Sequence, residues 1–246
     1  MKFGIDLGHG VKFDGGAIGI KREEECIDPV GIKVIQKLKA LGHTVVELRP
    51  ATATSLDNSL TQRWQKANAN NVDMVTSIHF NKTLGGKGAE VYALSAESKV
   101  IAERVLNEIV KLGYRNRGVK SANYAMLRRT NAPAILVECA FLDSEEDMNR
   151  YNAEDIANAI ILGLTGQVVQ EKPKRYYIVT NYITPEKYGI EFNTLKEKYF
   201  SELERIYVKN NDKGVWIETQ YLNKETAEAL VEKLKKDNLF WKLVEE

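Results

Sequence analysis

The sequence predicts a mixed α/β domain, its mostly parallel sheet flanked by helices, followed by a small α+β unit of order βαββαβ. Three observations carry this. Apolar runs of strand length alternate with stretches of helical periodicity through about residue 166. The pattern then lapses into Gly-Gln-Val-Val-Gln-Glu-Lys-Pro-Lys at 166–174, a charged, proline-containing stretch of linker type. Of the 21 aromatic residues, 12 lie between Tyr176 and Trp241, so the last third has a composition of its own. The expected boundaries are 1–166 for the first domain, 167–174 for a linker and 175–246 for the second.

The elements follow in order. Residues 2–7 form an apolar strand that stops at Gly8 and leaves His9 at its C-terminal end. Asp28 and Pro29 predict an N-cap and first helical position; Val30, Val34, Leu38 and Leu41 then recur at helical spacing until Gly42. Residues 44–48 are a strand. The Asp/Asn/Ser cluster at 55–59 opens a helix through Trp64 and Ala67, and 72–80 is a strand ending at His79. Residues 88–94 are strand-like, and Ser95 caps a helix carrying Val100, Ala102, Val105 and Ile109. Residues 134–139 form a short apolar strand, and Ile156, Ala159, Ile160 and Leu164 a last helical stripe. In the second unit the expected strands are 176–183, 206–209, 215–221 and 239–244. Its helices lie near 192–203 and after Asn223, where Ala227, Leu230, Val231 and Leu234 share a face.

Composition excludes several classes. Thirty-five basic against 34 acidic residues leave a formal charge of +1, with no bulk field to attract nucleic acid or anionic lipid. No run approaches the roughly 20 apolar residues of a membrane span, and the apolar start is cut too soon by Gly8-His9-Gly10 to predict a signal peptide. Two cysteines, Cys26 and Cys139, predict free thiols rather than a disulfide framework.

Chemistry concentrates in a few residues. Of three histidines, His9 and His79 close predicted strands, where ligands gather in open α/β sheets; His43 follows a helix-exit glycine and predicts an ordinary surface residue. Catalytic zinc takes three protein ligands, commonly two imidazoles and a carboxylate, and keeps one position open. The run Glu23-Glu24-Glu25 lies close to His9 in sequence; a solvated approach to a helix N-terminus explains at least two of the three. Glu138 interrupts the apolar run 133–141, so it is either a proton-shuttling carboxylate or a glutamate on the exposed face of an edge strand. Asn81 could hydrogen-bond near such a site or simply form the turn.

At this point the chain resembles the zinc-dependent N-acetylmuramoyl-L-alanine amidases that begin with a strand and a Gly-His-Gly turn. The resemblance covers residues 2 to about 166. It rests on seven landmarks in family order: IDLGHG at 5–10, GAIG at 16–19, an acidic position ahead of the first helix, SIHFN at 77–81, GAEVY at 88–92, RGVK at 117–120 and APAILVECAFLDSEEDM at 132–148. Leu7 stands where proline is common, and Lys82 where a small residue is usual. The resemblance implies one zinc ion per chain, held by His9, Glu23 and His79, with Glu138 as catalytic carboxylate. A gapless count back from Gly42 selects Glu23; a one-residue deletion would select Glu24. The implied substrate is bacterial peptidoglycan, cut between N-acetylmuramic acid and the L-alanine of the stem peptide.

The C-terminal unit is similar to the small peptidoglycan-binding SPOR domains in its element order and its Glu-Thr-Ala-Glu-Ala-Leu helix. Tyr177, Tyr182, Trp216 and Tyr221 would then stack on sugars, the alternative being a place in the domain core. Without an apolar leader, the expectation is a phage endolysin made in the bacterial cytoplasm that acts on the wall after release. A bacterial autolysin or sporulation or division amidase is the alternative, and a non-catalytic peptidoglycan-binding protein the alternative of another class.

Overall fold

The computed structural model describes residues 1–169, 174–183 and 192–246; the core of the expected linker, 170–173, lies outside the described residues. The chain divides into two units, Met1–Val169 and Gln170–Glu246. In the first, the order is β1 (Lys2–Leu7), α1 (Glu23–Ala40), β2 (Thr44–Glu47), α2 (Leu56–Ala69), β3 (Met74–Asn81), β4 (Ala89–Ala93), α3 (Ala96–Lys111), β5 (Asn116–Lys120), α4 (Ala125–Arg129), β6 (Ala134–Phe141), α5 (Glu145–Arg150) and α6 (Ala153–Thr165). The six strands form one sheet, β2-β1-β3-β6-β4-β5. Every neighbouring pair is parallel except β4 with β6, which makes the sheet mixed but mostly parallel.

Strand alternation sorts the two faces of this sheet. Phe3, Ile5 and Leu7, Met74, Ile78 and Phe80, Val91 and Ala93, and Ile135, Val137 and Cys139 enter the larger core, packed by α1, α3 and α6. The opposite face meets α2 and α4 through a smaller cluster that includes Val75, Leu136, Ala67 and Leu127. The polar residues of the central strands, Asp6, Ser77, His79, Glu90 and Glu138, alternate with the larger core and so share this second face. Cys26 and Cys139 are buried thiols, not bridged. His43 is half-buried, its ring edge-on to Phe3 at 5.2 Å.

The first helix begins at Glu23, not at the Asp28–Pro29 pair, and Pro29 lies inside it. Proline in a helix interior costs about 3 kcal/mol because it lacks an N–H and crowds the preceding turn. Starting earlier buries Ile27, which contributes about 1.5–3 kcal/mol, and Cys26 besides. It also puts Glu23, Glu24 and Glu25 in the first turn, where the helix dipole favours negative charge. Three short elements were not expected. Strand β5 has one apolar side chain, Val119, and α4 and α5 are too short for a periodic signal.

The second unit runs β7 (Tyr176–Thr180), α7 (Phe192–Phe200), β8 (Ile206–Asn211), β9 (Gly214–Thr219), α8 (Lys224–Lys236) and β10 (Phe240–Glu245). Its antiparallel sheet has the order β10-β7-β9-β8. One face packs Ile178 and Ile217 against Leu195 and Phe200 of α7 and Ala227, Leu230, Val231 and Leu234 of α8. Asn223 caps α8 by accepting from the Thr226 N–H at 2.8 Å. Tyr177, Trp216 and Glu218 alternate with the packed residues and are only half-buried, while Tyr207 is exposed. Among the described residues no helix is long and apolar enough to cross a membrane.

Candidate active site

The site is assembled at the C-terminal ends of the parallel strands β1, β3 and β6. The chain leaves β1 through Gly8, His9 and Gly10, with His9 at φ +56° and Gly10 at φ +78°. A non-glycine residue in this region costs about 1–3 kcal/mol and persists only where its surroundings fix it. Two glycines permit close approach. A Cβ on Gly8 would lie 2.3 Å from Cε1 of His79, and one on Gly16 2.7 Å from Cβ of Glu23.

His9, Glu23 and His79 converge, with one possible ligand atom from each lying within 4.8 Å of the others. Nε2 of His9 is 3.5 Å from Oε2 of Glu23, and Nδ1 of His79 is 3.1 Å from Oε1 of Glu23. The imidazoles meet edge to face, with centroids 4.9 Å apart and planes at 88°. Glu23 is pinned from behind, Oε2 accepting from Ala17 N–H at 2.8 Å and Oε1 from Phe80 N–H at 3.1 Å. Burial would raise the Glu23 pKa, but hydrogen bonding to His79 and the nearby histidine charges hold it below the usual value. Burial likewise works against the charged form of His79, and the bond to Glu23 with the carboxylates of Glu138 and Asp6 raises its pKa instead.

This donor set fits a zinc ion. Bonds of about 2.0–2.1 Å in a tetrahedral site put ligand atoms about 3.4 Å apart, near the two histidine–carboxylate distances of 3.5 and 3.1 Å, and three protein ligands leave a fourth position open. Glu24, the other candidate, turns elsewhere: its Oε1 accepts from Gly16 N–H at 2.8 Å and so braces the loop after β1.

Glu138 stands opposite His79 in the β3–β6 register, on a strand between β3 and β4 rather than at an edge. Its Oε2 is shielded from solvent and has no hydrogen-bond partner among the described residues. Burial raises its pKa to about 7, with the negative charges of Glu23 and Glu90 adding to the rise against the pull of His79 and His9. His9, His79 and Glu138 line a cleft of about 280 Å³ with Leu60, Tyr124 and Met126.

Asn81 points its amide at a neighbouring cluster, donating to Oε1 of Glu90 at 3.1 Å. Glu90, opposite Glu138 on β4, also accepts from Tyr92 at 2.7 Å, Arg117 at 2.6 Å and Lys120 at 2.5 Å. Sequence reasoning missed Asp14 and Arg63. Asp14 Oδ1 meets Nδ1 of His9 at 2.8 Å, and its Oδ2 accepts from Ser59 at 2.6 Å and Arg63 at 3.2 Å. Burial is outweighed by these bonds and by the guanidinium charge, which hold the Asp14 pKa at about 2. Ser59, Arg63 and Ala67 recur at i, i+4 and i+8 on α2 and all three are buried, but an arginine on such a stripe reads from sequence as surface.

Residues 4–166 match the family model for N-acetylmuramoyl-L-alanine amidase. The chain is 29% identical over 170 residues to an endolysin of Bacillus phage SPP1, covering 65% of this chain and 61% of that one. It is 32% identical over 184 residues to the N-acetylmuramoyl-L-alanine amidase LytC of Bacillus subtilis, covering 70% and 35% of the two chains. Among solved structures, the catalytic domain of the amidase CwlV from Bacillus (Paenibacillus) polymyxa shares the fold at a TM-score of 0.60 and 28% identity, over 67% of this chain and 96% of that one. The sheet, the convergent histidines and glutamates, and a family match spanning nearly the whole first unit lead to one assignment: the chain belongs to the N-acetylmuramoyl-L-alanine amidase family.

Proposed function

We propose that the chain is a zinc-dependent peptidoglycan hydrolase that cleaves the amide between the lactyl group of N-acetylmuramic acid and the L-alanine of the stem peptide. The observation that carries this is the meeting of His9, Glu23 and His79 beside the unpartnered carboxylate oxygen of Glu138. One zinc ion per chain, held by those three residues, would supply Lewis-acid polarisation of the amide carbonyl and a lowered water pKa. Glu138 then does the proton work: it accepts a proton from the attacking water and returns it to the departing alanine nitrogen. A carboxylate suits both halves because burial brings its pKa near neutral, so neither protonation state is costly. Asn81, expected as a substrate-binding residue, acts in this reading through Glu90, whose carboxylate it helps orient.

The second unit is, in this reading, a SPOR-like wall anchor. Its support is the βαββαβ order and two aromatic pairs on and beside the strands, Tyr182 with Trp216 at 5.7 Å and Tyr177 with Tyr221 at 6.0 Å between centroids. None of these four residues belongs to the unit's buried core. The phage relative supports an endolysin role in host lysis, and LytC the alternative of a bacterial autolysin.

Incubating the zinc-loaded chain with purified walls tests the proposal. New alanine amino termini should appear, and a His79→Ala chain should release none and retain little zinc. Full zinc and full activity in that variant would exclude the site.

A further inference from the structure

The short segment that carries His9 is held by more than the sheet. Three successive carbonyls at the β1 exit are gripped by two guanidinium groups from different elements. Arg49, just after β2, donates Nε–H to Leu7 O at 2.9 Å and an NH2 hydrogen to Gly8 O at 2.8 Å. Arg63, from the middle of α2 and 1% exposed, donates to Leu7 O at 2.6 Å and His9 O at 2.7 Å. Both cations are themselves anchored. Arg49 pairs with Asp28 of α1 at 2.7 Å, and Arg63 with Asp6 at 2.6 Å and Asp14 at 3.2 Å. Asp14 completes the circuit by meeting Nδ1 of the His9 ring at 2.8 Å. His9 therefore has its backbone carbonyl tied to Arg63 and its ring nitrogen tied to Asp14, the two members of one buried ion pair.

We infer that Arg49, Arg63 and Asp14 are positioning residues that pre-set His9, backbone and ring together, for the metal before any metal arrives. The inference rests on the zinc-site reading given above. The left-handed conformation of His9 is one that an unrestrained loop residue leaves readily. Donors on Leu7, Gly8 and His9 carbonyls remove that freedom, since each carbonyl would otherwise turn to water. Occupation of Nδ1 by Asp14 leaves Nε2 as the nitrogen facing Glu23, 3.5 Å away. Without the clamp, zinc would have to order this segment as it binds, and its affinity would fall by that cost.

The test measures zinc affinity of the full chain, stripped of metal, by competition with a chromophoric chelator. Thermal unfolding of the metal-free chains serves as control. Outer groups of this kind typically matter about 10- to 100-fold in metal affinity, and Asp14→Ala is expected in that range. Arg49→Met, at a less buried position, is expected to weaken zinc about three- to tenfold while leaving the chain folded. If Asp14→Ala unfolds without metal, Arg49→Met alone decides. In a His9→Ala background the Arg49→Met change should alter the residual affinity less than about twofold, because there is no imidazole left to aim. Wild-type zinc affinity in the folded variants, or an equal loss in the His9→Ala background, would overturn the inference. A native chain that fails to bind zinc at all would instead overturn the site reading beneath it.

Discussion

Replacing Glu138 by glutamine keeps the shape of the side chain but removes its ability to take and return a proton. The Glu138→Gln chain should fold, bind zinc as the native chain does, and turn over about 100- to 10,000-fold more slowly. Native turnover would make Glu138 a structural residue. The two neighbouring glutamates separate in the same assay: Glu23→Gln should lose metal, whereas Glu24→Gln, which only weakens the brace to Gly16, should keep it. The reverse would shift the metal site by one residue. His9, His79 and Glu138 stood out in the sequence because each is polar at the end of, or inside, an apolar run, where a charge is costly unless it has a task, whereas Glu23 lies in a charged run and was singled out only by the family resemblance. Asp14 and Arg63 were not. One sits in a loop with no periodicity, and the other takes a place on a helix stripe where an arginine reads as surface.

Helices α1 and α6, neighbours on the larger core, are also joined at their surface. Lys33 pairs with Glu154 at 2.6 Å, and Lys37 reaches the other oxygen of the same carboxylate. The bonds to Lys33 and Lys37, aided by their charges, hold the Glu154 pKa at about 2, well below the ordinary carboxyl value of 4.5. A depressed pKa means that the folded state favours the charged form. The stabilisation is therefore complete above about 4.5 and is lost as pH falls toward about 2. Partial exposure limits it to about 1 kcal/mol. Urea unfolding should show Glu154→Gln less stable than the native chain at pH 7, with the gap narrowing below pH 4.5; a gap that widens in acid would contradict the assignment. At this scale the sequence reading went astray where local and tertiary signals compete. Asp28-Pro29 is a good helix start on local grounds, but burial of Cys26 and Ile27 with the anchoring of Glu23 draws the helix back a full turn and more. The antiparallel β4 is likewise invisible in a strand pattern that looks the same in either direction.

The alternation of elements and its lapse near residue 166 marked two units in the sequence, and the chain divides between Val169 and Gln170. A chain of residues 1–166 should fold and cut soluble muropeptides as well as the full chain, because every proposed ligand lies within it. On intact walls the full chain should be faster, since an anchor raises the local concentration of the catalytic unit. Equal rates on intact walls would make the second unit something other than an anchor. All of this depends on which bond is cut, and mass spectrometry of purified walls digested by the zinc-loaded chain answers that directly. Glycan strands bearing free lactyl carboxylates are expected, together with intact stem peptides that begin at L-alanine. Products cut within the glycan or inside the stem, or walls left whole by a fully zinc-loaded chain, would contradict it.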